Sequence, residues 1–370
     1  MPMVLPRQHL LSIAFGENPM LIGFERKQVQ IVSVDPRLGD KVHVTKCAGL
    51  PMAGETVEKL IERNKRYKFT MRPRETYPLH KGVCHIIPLK GELALSPDFR
   101  AVFSPKSSTG RCDVFVRVLT NGCPHYDRTT FGYQGPMYLE VVPLSFDIEV
   151  AMGLELTQFR VQGVTRRSLT SEEIACLHSK FGILRDKEGV PLPNECIRLS
   201  DGDSNGGLYY HVDLDRDIVG FEARRSAVES INLTTKDSHN PEDFWTPIPR
   251  PSGGKLVLVP GAFYLLATKE RTFIPPSVCG QILPYDISAG EFRPHYAGFF
   301  DPGFGGEGGT VGVLEVRSRD MPFSLTHGQI VCRMDFEWAD ETPDQLYSGH
   351  YTDPRPSLSK HFSRRHKVWD

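Results

Sequence analysis

The segment Lys106-Ser-Ser-Thr-Gly-Arg111 concentrates three hydroxyls, a glycine and two cations in six residues. Hydroxyls and free backbone N–H groups give short hydrogen bonds to an oxyanion, Gly110 allows close approach, and Arg111 can fork onto two phosphate oxygens. The same composition suits a solvated turn ahead of a strand, so residue types alone leave both uses open. A second chemical feature occurs twice: a glutamate inside an apolar triplet, as Leu139-Glu140-Val141 and Leu314-Glu315-Val316. On a strand each carboxylate can simply face solvent. In a closed site its pKa rises, and it can take a proton from water and return it to a leaving group. The thirteen histidines form no HxxxH or HExxH pattern, and no His-x-Glu is followed by Pro-Cys-x-x-Cys. The expectation is therefore a site with no zinc and no other protein-held metal.

The elements that must position these groups are mostly strands. Gly and Pro number 33 and 29 in 370 residues, a load of turn formers that favours many short strands over long helices. Apolar or alternating runs at Val83–Leu89, Val114–Leu119, Met137–Val142, Lys255–Val259 and Val311–Val316 read as strands of a sandwich or barrel. Two segments carry helical spacing: Thr56 to Tyr67, and Ser171 to Lys180 with a capping box from Thr170 to Glu173. The polar, Gly/Pro-rich stretch from Asp186 to Gly207 marks a boundary, dividing the chain into domains at 1–190 and 205–370.

Those halves repeat one another. Leu139-Glu140-Val141 recurs as Leu314-Glu315-Val316 at an offset of 175, with Gly153 and Gly328 each thirteen residues beyond the glutamate. Gly82-Val-Cys-His-Ile-Ile87 lines up with Gly261-Ala-Phe-Tyr-Leu-Leu266, and Ser96-Pro97 with Pro275-Pro276, both at 179. Four matches in one order at nearly constant offset imply duplication of a β domain.

The net charge of −1, from 44 cations and 45 anions, leaves no basic excess for a nucleic-acid backbone or an anionic membrane. No apolar run approaches the roughly 18 residues a membrane-spanning helix needs. The eight cysteines are dispersed, without a CxxC pair or a secretory leader ahead of them, so a soluble, cytoplasmic protein with reduced thiols is expected.

Lys106-Ser-Ser-Thr-Gly-Arg111 resembles the Ser-Ser-x-x-Arg phosphate motif of the trimeric dUTPase and dCTP deaminase superfamily. A second element of that superfamily is an Asp-Pro-Gly turn followed by a strand carrying Leu-Glu. It is nearly intact in His295-Tyr-Ala-Gly-Phe-Phe-Asp-Pro-Gly-Phe-Gly305 and Gly312-Val-Leu-Glu-Val316. The first half holds a looser version, Tyr126-Asp127 and then Gly132-Tyr-Gln-Gly-Pro-Met-Tyr-Leu-Glu140, with Arg128 in place of Pro. The resemblance extends over both halves and is strongest to the long, fused form of dCTP deaminase.

It implies an all-β fold with minor α content: tandem dUTPase-like distorted barrels or jelly rolls, assembled as a homotrimer with two stacked rings of domains. It implies hydrolytic deamination of dCTP to dUTP and ammonia for thymidylate synthesis. Glu140, Ser107 and Glu315 become the catalytic candidates. Lys106, Ser108, Thr109, Gly110 and Arg111 would hold the triphosphate with its magnesium, and Asp127 and Asp301 would read sugar and base. Members of the superfamily that are dUTPases lack the strand glutamate and close the site with a Gly-rich C-terminal arm. The segment Ser357 to Asp370 has no glycine, which favours deamination. A dUTPase, a bifunctional deaminase and dUTPase, and a nucleotide-binding regulator without catalysis stay open. At an offset of 179, Ser107, Ser108 and Arg111 fall on Asp286, Ile287 and Gly290, so the second half is expected to have lost its phosphate turn, unless Arg293 or Arg271 substitutes.

Overall fold

The computed structural model describes residues 3–165, 168–200, 206–283, 292–293, 298–318, 320–349, 351 and 353–363. The positions Asp286, Ile287 and Gly290 lie outside them. The chain forms two compact units, Met1–Arg166 with Val228–Lys236 and Ala339–Asp344, and Arg167–Ala227 with Asp237–Trp338 and Gln345–Asp370. Packing therefore divides the chain earlier than the Gly/Pro-rich stretch does. Leu169, Ile174, Ile183 and Leu184 belong to the core of the second unit, together with Tyr264, Leu266 and Leu314. Residues 168–190, assigned to the first domain from the sequence, thus belong to the second unit.

Each unit is built on an antiparallel sheet, and the two sheets have the same plan. In the first unit the order is Lys65–Thr70, Lys41–Thr45, Cys84–Ala94, Gln134–Pro143, Val114–Thr120, with Leu21–Ile22 also on the Cys84–Ala94 strand. In the second it is Trp245–Pro249, Ile218–Ala223, Tyr264–Thr272, Thr310–Ser318, Phe292–Arg293, with Leu184–Arg185 on the Tyr264–Thr272 strand. The register repeats as well: Ile86 faces Glu140 as Leu265 faces Glu315, and His85 faces Val141 as Tyr264 faces Val316. Even the irregularity recurs, since register shifts fall between Pro88 and Glu92 and between Ala267 and Arg271, 179 residues apart. A bulge in the same place in both sheets is a feature of the duplicated ancestor, because bulges fix twist and side-chain direction locally.

Further strands lie outside these sheets. Phe99–Pro105 pairs Thr157–Gly163 in the first unit, and Gly207–His211, Ile330–Trp338, Val278–Leu283 and Phe299–Phe300 form a second sheet in the other. The expected strands are all present, as Cys84–Ala94, Val114–Thr120, Gln134–Pro143, Lys255–Leu258 and Thr310–Ser318. The helix expected from Thr56 is shorter, Val57–Asn64, with the Thr56 side chain accepting from the Lys59 N–H. At Lys65 the chain turns into a strand, because Val42 and Val44 of the neighbouring strand pair with Phe69 and Tyr67. The Thr170 to Glu173 capping box forms as expected on helix Ser171–Phe181. Helix Arg7–Phe15 was not evident in the sequence. Its apolar residues Leu10, Leu11, Ile13, Ala14 and Phe15 do not form a clear face, and only Leu10 and Ala14 are buried.

Candidate active site

The site is built on the face of the first unit's sheet that helix Val57–Asn64 covers. Val57, Leu60 and Ile61 pack on Ile86, Leu119 and Tyr138 in one buried cluster. Burying these groups stabilises the cover by roughly 1.5–3 kcal/mol per large side chain. The helix is anchored at its start by the Asn121 side chain, which accepts from the Val57 N–H at 2.9 Å. Asn121 belongs to the connection after the Val114–Thr120 strand, so cover and sheet are tied at two levels.

Glu140 lies under this cover and is completely buried. Its Oε2 accepts from the Gly49 N–H at 3.3 Å, and its Oε1 has no hydrogen-bond partner among the described residues. Burial pushes the carboxyl above the usual range. The Gly49 N–H, the Tyr126 hydroxyl, the Cys84 thiol and the Arg117 charge act in the opposite direction without cancelling it. The neighbours show the same low polarity. Burial, with the glutamate charge, raises the Cys84 thiol to about 12. His85, on the other side of its strand, is held down to about 4 mainly by desolvation. The Tyr126 hydroxyl donates to the Gly49 carbonyl at 3.3 Å, so one glycine is gripped from both sides of its peptide chain.

Arg117 is directly opposite Glu140 in the ladder between Val114–Thr120 and Gln134–Pro143. Opposed residues in an antiparallel pair share a face with Cβ atoms about 4.5–5.5 Å apart. The Arg117 guanidinium is fixed by an ion pair with Asp127 and by the faces of Phe115 and Tyr126, at 4.9 and 5.8 Å from the ring centroids. Asp127 has a left-handed backbone, φ 59°, and its Oδ1 accepts from the Val118 N–H at 2.8 Å. A non-glycine residue in that region is uncommon, and here the aspartate's own hydrogen bonds to the strand hold it there. Burial raises its pKa, against the lowering effects of Arg117 and the Val118 N–H. Glu140 and Asp127, both expected from the sequence, are thus joined through an arginine that the sequence reading passed over. Its signal was present: Arg117 is the one charged residue in the apolar run Val114-Phe-Val-Arg-Val-Leu-Thr120. Gly49 gives no such signal, since nothing in a loop sequence says which amide will reach a strand fifty and more residues on.

The Lys106–Arg111 segment is a single helical turn, Ser107–Gly110, and not a solvated loop. Ser108, Thr109, Gly110 and Arg111 are buried, Arg111 to 7% exposure, and Ser107 is half-buried. The Thr109 hydroxyl donates to the Leu156 carbonyl at 3.0 Å. Lys106, expected at the phosphate, is ion-paired with Asp35 and lies 3.8 Å from Glu155. Its charge is largely neutralised by these two carboxylates. Thr109 and Lys106 of this turn contact Leu156, Asp35 and Glu155.

In the second unit Glu315 is 1% exposed and opposes Leu265. On its other side Phe292 and Arg293 pair Ser318 and Arg317, and the position that would face Glu315 falls outside the described residues. Asp301 heads a tight turn in which the Phe304 N–H donates to the Asp301 carbonyl at 3.0 Å. Gly305, at φ 87°, leaves no room for a side chain, since a Cβ there would lie 2.0 Å from the Thr272 carbonyl oxygen. Among the described residues, no group of three or more His, Cys, Asp or Glu side chains could hold a metal ion, all eight cysteines are free, and no helix is long and apolar enough to cross a membrane.

Duplicated antiparallel sheets, each with a buried mid-strand glutamate, and a hydroxyl- and arginine-bearing turn define the class: a two-unit, all-β protein of dUTPase-like architecture. Two family models divide the chain between them, the N-terminal domain of 2'-deoxycytidine 5'-triphosphate deaminase over residues 3–165 and the C-terminal domain of the same enzyme over residues 173–362. The chain belongs to the 2'-deoxycytidine 5'-triphosphate deaminase family. A crystal structure of 2'-deoxycytidine 5'-triphosphate deaminase from Agrobacterium tumefaciens is similar to it with a TM-score of 0.81 and 32% identity, over 92% of this chain and 99% of that one. No curated protein matches the chain significantly by sequence.

Proposed function

We propose that the chain deaminates dCTP hydrolytically, dCTP and water giving dUTP and ammonia, at the Glu140 site of the first unit. The observation that carries the assignment to this site is Glu140 itself: buried, raised in pKa, held by one oxygen on Gly49, with the other oxygen lacking a hydrogen-bond partner among the described residues. Attack of water at C4 of cytosine needs a base for the water and an acid for the departing amine. A carboxylate with a raised pKa does both, moving the first water proton to N3 and then the proton of the new C4 hydroxyl to the amine nitrogen, which leaves as ammonia while the C4 carbonyl forms. Arg117, across the ladder, would keep Glu140 from becoming wholly neutral, and Asp127, fixed by Arg117, would meet the sugar and the base edge. Ser107 and Arg111 would bind the triphosphate, which brings its own magnesium. In this reading the carboxylate does the proton chemistry and the step needs no zinc.

The resemblance to the trimeric superfamily supports a shared site, in which one chain of a homotrimer offers the turn and its neighbour the glutamate. The free thiols are compatible with the cytoplasm as the working compartment. Incubating the protein with dCTP and magnesium, then separating nucleotides and assaying ammonia, tests the reading. Accumulation of dUTP with equimolar ammonia is expected, with little reaction of deoxycytidine. Formation of dUMP without dUTP would replace the reading with a pyrophosphatase or a combined activity, and tight dCTP binding without ammonia would replace it with a regulator.

A further inference from the structure

Tyr126 is where the parts of the Glu140 site meet. Its hydroxyl donates to the Gly49 carbonyl at 3.3 Å, and the N–H of the same glycine donates to Glu140 Oε2 at 3.3 Å. The hydroxyl also acts on Glu140 directly, favouring the ionised carboxyl. Its ring packs on the buried cluster under helix Val57–Asn64 and carries the Arg117 guanidinium at 5.8 Å from its centroid, while the next residue, Asp127, pairs with that arginine. Of the other groups facing Glu140, the Cys84 thiol on one neighbouring strand and Arg117 on the other also favour the carboxylate, and on the cover Glu58 is engaged by the Tyr138 hydroxyl. His43 lies one strand further, opposite Ile86, and Cys47, in the loop before Gly49, acts on Cys84.

A phenol has one proton to give, and two acceptors compete for this one. A hydrogen bond to a carboxylate is charge-assisted and roughly twice as strong as one to a neutral carbonyl. When Glu140 is protonated, the state its burial favours, the proton belongs with the Gly49 carbonyl. When Glu140 is ionised, it belongs with the carboxylate. The exchange needs only rotation about the phenol C–O bond, because the ring is packed in place. Burial, with the Glu140 charge, raises the phenol's own pKa, so it remains a donor throughout neutral pH. The second unit keeps the glutamate and the aspartate of this arrangement without the hydroxyl: Phe300-Asp301 stands where the first unit has Tyr126-Asp127.

We propose that Tyr126 is a positioning residue of the Glu140 site, whose single hydroxyl proton turns from the Gly49 carbonyl to the Glu140 carboxylate each time the glutamate ionises. The inference rests on the reading of Glu140 as the base of the deamination, in which the carboxyl passes between its two protonation states in every turnover. The rotating hydroxyl stabilises the carboxylate when it forms and returns to the cover loop when the proton comes back.

Tyr126→Phe is the testing variant, since it removes the proton and keeps the ring that packs and carries Arg117. The infrared carboxyl band of Glu140, isolated by subtracting from each protein its Glu140→Gln counterpart, gives the titration midpoint without turnover. In Tyr126→Phe that midpoint should rise by about one pH unit, tenfold in proton affinity, from loss of one charge-assisted hydrogen bond. The acidic limb of kcat/KM for dCTP should rise with it, while KM on the plateau stays within about twofold. Site-specific replacement of Tyr126 by a ring-fluorinated tyrosine, a stronger donor, should move both in the opposite direction, and this arm stands even where Tyr126→Phe folds poorly. A Tyr126 that is merely structural would lower stability or raise KM with both midpoints unmoved, and that result would overturn the proposal, as would a downward shift in Tyr126→Phe. A protein whose Glu140 band responds as expected but which releases no ammonia from dCTP would overturn the deaminase reading alone.

Discussion

Glu140 and Glu315 occupy the same register position of two sheets with the same strand order, and both are buried. The elements beside them differ. The Glu140 strand is flanked by a seven-residue strand that brings Arg117 opposite it, and is roofed by an eight-residue helix that brings Gly49 and Tyr126 within reach. In the second unit the helix at the corresponding place, Pro241–Phe244, has four residues, and the position opposite Glu315 on the flanking strand lies outside the described residues. A scaffold can thus be copied with its register and even its bulge, while the environment of the reactive group diverges. Chemistry depends on that environment, because it is the neighbours that set the protonation of a buried carboxylate.

The sharpest way to break this comparison is to neutralise each glutamate in turn. Glu140→Gln keeps shape and hydrogen-bonding reach and removes the base, so turnover should fall at least about a hundredfold with nucleotide affinity roughly kept. Glu315→Gln should lower turnover far less. Equal losses measured by ammonia release would make the units equivalent. Next in size is Arg111→Ala, which should raise KM for dCTP about tenfold or more with a smaller change in kcat, from loss of a charge-assisted contact to phosphate. A kcat loss at unchanged KM would move Arg111 out of the phosphate site.

Asp127→Asn tests whether Arg117 needs its anchor. Freed from its ion pair, Arg117 should stabilise the Glu140 carboxylate more strongly, and the acidic limb of the kcat/KM profile should shift to lower pH. A profile displaced to higher pH, or not displaced, would remove this linkage. The smallest effect expected is on stability. The folded-state pKa of Glu140 is raised above 4.5, so its protonated form favours folding below the ordinary carboxylate range, and that contribution is lost as pH rises through the raised value. Glu140→Gln should therefore gain melting temperature relative to wild type as pH increases, and a gap that narrows toward high pH would contradict the assignment.

Legibility followed the range of the interactions. The glutamates, the phosphate turn and the repeat are contiguous in sequence and could be found there, and the capping box at Thr170 could be placed to the residue because it is satisfied within four positions. Lys106 was read as a phosphate ligand from its place in the motif. Only the folded chain reveals Asp35, 71 residues away, taking that charge. Arg117 was visible as a charge in an apolar strand, but its importance rests on which strand lies beside it.

The sequence by itself determined the all-β class, the duplication and the family, because strand periodicity, turn residues and motif spacing are local and survive divergence between the halves. Tertiary structure alone decided that residues 168–190 belong to the second unit, that Glu140 is enclosed and meets Arg117, Gly49 and Tyr126, and that two arginines face each other at Arg185 and Arg271. Each of these depends on sheet register and on burial, which join residues far apart in the chain, and a carboxylate or guanidinium acquires its reactivity from those distant neighbours.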